Sequence, residues 1–145
     1  MNPDTADQLK SLHTAAIDAR NGYREALKDA EKPHDLASVF QEMADLHQAN
    51  ATELHSLLIA ASEQADDNGS FMSTIHRTIM DVRALFGGLD DSVLPGLIDG
   101  EKRNISHYGD ALAAVAGDDE VAAILRGERS RIAAAITKLE FLKAD

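Results

Sequence analysis

Residues 65–90 read ADDNGSFMSTIHRTIMDVRALFGGLD. The stretch opens on the turn-forming cluster ADDNGS at 65–70 and approaches its end at Gly87 and Gly88, which stop a helix. Between them Phe71, Ile75, Ile79, Val82 and Phe86 recur at steps of three and four, and this predicts a short helix over 70–86. A connection of this length can run from one end of a helical bundle to the other. If it does, the helix before it and the helix after it point the same way. The chain is then two hairpins joined by one long crossover, not a plain up-down-up-down array.

On either side of the crossover the pattern is helical, and strand signals are scarce. The first helix is expected to begin near Asp4, just after Pro3, with Leu9, Leu12, Ala16, Ala19, Tyr23, Leu27 and Ala30 on one stripe. EKPHD at 31–35 ends it, because Pro33 disfavours helix at the residue before it. The second helix is expected from about His34 to Gln64, with Leu36, Phe40, Met43, His47, Asn50, Leu54, Leu57 and Ala61 inward. Beyond the crossover, Asp91 or Ser92 caps a helix that carries Pro95 in its first turn and runs to Ala116. Its inward residues are Leu94, Leu97, Glu101, Ile105, Tyr108, Leu112 and Val115. Gly117, Asp118 and Asp119 make a stop and a new cap, and the last helix spans 119–143. The expected fold is all-α, a four-helix bundle with a long helical crossover in a single domain over 1–145. It comprises a hairpin over 4–64, the crossover helix over 70–86 and a hairpin over 91–143.

Composition narrows the function. Among 145 residues, 25 are acidic and 14 basic, a formal net charge of −11. Such a surface repels phosphate backbones and anionic headgroups, so neither nucleic acid nor membrane is an expected partner. There is no cysteine, which excludes disulfides, thiolate metal sites and cysteine nucleophiles. The opening MNPDTADQLK lacks the basic and apolar blocks of a secretory signal, and a cytoplasmic protein is expected.

Polar residues that interrupt the apolar stripes carry the rest of the reading. At about 100° per residue, His47, Asn50, Glu101 and Glu128 fall on inner faces, as do Tyr23 and Tyr108. In the crossover order all of them lie within about two helical turns of one another, near mid-bundle. Glu25 and Glu42 lie on outer or flanking arcs. Two inward carboxylates need partners or protons. One solution is a metal ion, iron or manganese, held by His47, Glu101 and Glu128. The other is a hydrogen-bonded network with His47 as the cation between the two glutamates, both tyrosine hydroxyls donating, and Arg131 or Arg20 closing the charge.

The stretches NGYREAL (21–27), VFQEMADLH (39–47), GSFMSTIHRTIMDVR (69–83) and DGEKRNISHYGDAL (99–112) carry a resemblance. With them the chain resembles the ferritin-like superfamily and, within it, a bacterial four-helix-bundle family of unknown function. The resemblance implies a ferritin-like bundle. Di-metal members of that superfamily place one Glu on each of two helices and Glu-x-x-His on the other two. Here Glu101 matches one single Glu. Glu128-Arg-Ser-Arg131 keeps Glu but has Arg in place of His, and His47-Gln-Ala-Asn50 has lost both ligands of its motif. The first helix offers Ala16, Ala19 and Tyr23, with Arg20 at the edge. A degenerate motif of this kind points to a bundle that kept its frame and lost its metal chemistry.

No other constellation has the form of a catalytic or metal motif. The six histidines include no His-x-x-x-His pair, and no phosphate-cradling loop or GxSxG elbow occurs. His13 is expected at the edge of its stripe, His34 in a first turn, and His55, His76 and His107 on flanking or outer arcs. Asp66-Asp67-Asn68-Gly69 lacks the spacing of a calcium loop. The functional expectation is a non-enzymatic helical bundle, binding or stress-associated, that forms a homodimer or higher homo-oligomer. The alternative is a ferritin-like iron or manganese protein with a reduced carboxylate/His site.

Overall fold

The computed structural model describes residues 1–28, 35–66, 77–81 and 91–144. These are helical apart from turns and chain ends, with no strand among them. The long helices are α1 (Pro3–Leu27), α2 (Asp35–Ala60), α3 (Leu94–Ala114) and α4 (Asp119–Ala144). The chain is also helical at 77–81. The rest of the crossover helix expected over 70–86, the EKPHD turn apart from Asp35, Gly87–Gly88, His34 and His76 lie outside the described residues.

Local chemistry accounts for the ends. Asn2 caps α1, its Oδ1 accepting from the Asp4 amide at 2.8 Å, and Pro3 occupies the first turn. Asp118 caps α4 by accepting from the Val121 amide at 3.1 Å. Two ends differ from expectation. A 3₁₀ turn over Asp91–Val93 precedes α3, which starts at Leu94 without a side-chain cap; Pro95 still falls in its first turn. α2 stops at Ala60 instead of continuing to Gln64. Ser62 adopts φ 60°, the Glu63 amide bonds the Leu58 carbonyl at 2.8 Å, and the Ser62 amide bonds that of Ile59 at 3.0 Å. That pair of bonds is a Schellman C-cap with serine where glycine is usual.

Side-chain bonds fix the helix directions. Thr5 near the start of α1 reaches the Ala114 carbonyl at the end of α3, while Tyr23 late in α1 reaches Glu101 early in α3. α1 and α3 are therefore antiparallel. Lys10 pairs with Glu63, and Arg20 with Gln48, so α1 and α2 are antiparallel too. α2 and α3 consequently point the same way. α4 opposes both, since Lys138 pairs with Glu42, Arg131 with Glu53, and Lys102 with Glu140. The end of α2 and the start of α3 therefore lie at opposite ends of the bundle. Ile79 in the described part of the connection between them is buried in the common core. Leu9, Ile17, Leu54, Leu97, Leu125 and Ile132 form the centre of that core, and each stabilises the fold by about 1.5–3 kcal/mol through loss of contact with water.

Candidate functional site

Seven polar residues are sealed inside the described structure: Thr5, His13, Asp18, His47, Asn50, Glu101 and Glu128. The last four sit on the inner faces of α2, α3 and α4, where the helical period puts them, together with buried Tyr23 and Tyr108. They form two groups.

The first is built around Glu101. His47 donates from Nε2 to Oε2 at 2.8 Å and stands 3.1 Å from Oε1. Asn104, one turn along α3, donates to Oε1 at 2.7 Å, and the Tyr23 hydroxyl donates to Oε2 at 3.4 Å. Tyr23 also stacks on the His47 ring, with centroids 5.9 Å apart and planes 9° from parallel. The carboxylate thus has donors from α1, α2 and α3, which offset the cost of removing it from water. Burial, reinforced by the adjacent Glu101 charge, raises the Tyr23 pKa well above the usual phenol value, so Tyr23 stays a donor.

The second group is built around Glu128. Tyr108 donates to Oε1 at 2.7 Å, and Oε2 has no hydrogen-bond donor. Burial, aided by nearby Glu53 and opposed by the Tyr108 bond and by Arg131, raises the Glu128 pKa to about 8. Burial thus favours the protonated form of Glu128. Tyr108 is pushed far above the phenol range by burial and by Glu128. Arg131 faces outward. One of its nitrogens donates to Asn50 at 2.7 Å and to Glu53 at 2.8 Å, and the Glu53 bond holds its pKa above the ordinary value.

The expected network is thus divided. His47 does not bridge two glutamates: it serves Glu101, while Glu128 is bonded to Tyr108 through one oxygen only. The physical reason is desolvation without a committed cation, because Arg131 is held by Glu53 at the surface. Arg20 closes neither group, bonding Asn21 and Gln48 instead.

Four polar residues outside the inward stripes are themselves buried or bonded to members of the two groups. Asn104 has a sequence signal, its i,i+3 spacing from Glu101. Glu53 lies on a flanking arc of α2, and only the approach of α4 makes it matter. Asp18 is buried on a face where the stripe gives no warning. His13, expected at a boundary, is wholly buried beside His55, with ring centroids 6.0 Å apart.

His47, Glu101 and Glu128 do not share a coordination point. Both Glu101 oxygens already accept hydrogen bonds, and Glu128 is bonded to Tyr108 and not to His47 or Glu101. Among the described residues no group of three His, Cys, Asp or Glu side chains is placed to hold a metal ion. The residues as arranged do not fit the iron or manganese centre of the alternative reading. No described helix is long and apolar enough to cross a membrane.

Among curated proteins and among solved structures, none matches the chain. Residues 4–114, most of the sequence and all of α1 through α3 except Pro3, match the family described as Domain of unknown function (DUF2383), and the chain belongs to that family.

Proposed function

We propose that the chain is a non-enzymatic, ferritin-like helical bundle of the binding or structural kind, whose mid-bundle polar layer holds two hairpins in register. One observation carries this reading. Glu101 and Glu128 are both fully buried, and each is bonded to side chains of the same molecule. A reaction centre needs an approach for substrate, and neither carboxylate is open to solvent. The shared direction of α2 and α3 supports the ferritin-like order of helices.

The test is metal content. Protein purified without chelators is analysed for transition metals, then incubated with ferrous iron or manganese and analysed again. The expected result is no stoichiometric metal in either case and an unchanged Tm. A stoichiometric metal that disappears in Glu101→Ala would overturn the proposal and restore the metal-binding alternative.

A further inference from the structure

α2 and α4 contact one another more sparsely than the two helices of either hairpin do. Between them, toward the start of α2 and the end of α4, lies a groove of about 740 Å³. Val39, Met43 and Leu46 from α2, with Ala135, Leu139 and Leu142 from α4, give it an apolar lining. Phe141 stands at its edge with 76% of its surface exposed, the most exposed of the large apolar side chains described.

We infer that this groove is the interface of a homodimer, in which a two-fold axis seats Phe141 of each chain in the groove of the other. Two features single out a second copy as the occupant. The first is shape. One patch carries both an unburied aromatic and an apolar recess much larger than a phenyl ring, the self-complementarity that an isologous contact requires. The second is charge. A chain at −11 repels its own copies over most of its surface, but the charged lining residues are Glu42, Arg131 and Lys138, with no excess of acid. Lys138 and Glu42 already pair across the groove at 3.4 Å, and both side chains are largely exposed. A two-fold axis lets each exchange its partner for the equivalent residue of the other chain. The patch is small beside the 20–30 residues a side of a standard interface, so affinity in the micromolar range is expected. This inference rests on the binding reading above but needs nothing from the polar layer, so a monomer would refute it and leave the metal result standing.

Sedimentation equilibrium of the full chain from low micromolar to near-millimolar concentration gives the direct reading. A reversible monomer–dimer equilibrium is expected, weakened at least about 30-fold by Phe141→Asp, the loss that follows from deleting an interface anchor. Ile59→Asp, at another exposed apolar residue outside the groove, should leave it unchanged. Because the chain has no cysteine, Thr137→Cys offers a unique attachment point for a spin label in the groove. Intermolecular dipolar coupling between labels is expected and should vanish when Phe141→Asp is added. A chain that is monomeric throughout the range, or a dimer indifferent to Phe141→Asp, would overturn the inference.

Discussion

Glu128 has one oxygen bonded to Tyr108 and another with no hydrogen-bond partner, and burial favours its protonated form. The consequence for stability follows from its pKa of about 8 against an ordinary 4.5. Between those values the folded chain holds a proton that the unfolded chain has lost. The contribution is whole below about pH 4.5 and is lost as pH rises through about 8, so rising pH destabilises the fold at this residue, by up to about 1.4 kcal/mol per unit. Glu128→Gln keeps an acceptor for Tyr108 and puts a permanent donor on the other branch. Thermal unfolding at pH 5, 7 and 9 should show the wild type losing ground to Glu128→Gln at each step. Parallel curves would mean that Glu128 is ionised in the folded chain. At this scale the period of each helix tells which side of the helix a residue occupies, and Glu101, Glu128, His47 and Asn50 could be read from it. It does not tell which side chains from different helices meet, which is why Glu53 was invisible as a partner.

The ends and crossings of the helices obey backbone chemistry more than hydrophobic pattern. The α2 stripe continues past Ala60, yet the helix stops there because Ser62 takes a left-handed conformation and closes a C-cap. Periodicity carries no sign of this, since serine is not the residue that usually fills the position. Ser62→Gly should relieve the strain and stabilise the protein by about 0.5–1 kcal/mol, read as an increase in Tm. Glycine within α3 has two different meanings. A Cβ at Gly96 would meet the Thr78 hydroxyl at 2.8 Å and its methyl closer still, so the described part of the crossover rests directly on the backbone of α3. At Gly109 a Cβ would meet nothing. Alanine at Gly109 should add about 0.5–1 kcal/mol through helix propensity. At Gly96 it should lower stability by about 1–3 kcal/mol through overpacking, and Thr78→Ala should recover most of that loss. Denaturant titration of the three variants separates the two effects.

Over the whole molecule, two hairpins associate through an apolar core interrupted at mid-height by the two polar groups. The overall helix order was legible because residues 65–90 are too long for a tight turn, and the bonds from Thr5 to Ala114 and from Tyr23 to Glu101 fix the directions that follow from it. The looseness between α2 and α4 had no signature, since a stripe looks the same whether its partner helix lies close or splayed. The layer's central contact is His47 with Glu101, which joins the first hairpin to the second. The most direct measurement is a double-mutant cycle on that pair, with stability from chemical unfolding of His47→Leu, Glu101→Leu and the double variant. Each single substitution strands a buried polar partner and should cost about 3–5 kcal/mol, while the double variant should cost far less than the sum. If the two losses simply add, His47 and Glu101 are not coupled, and the polar layer does not hold the hairpins together.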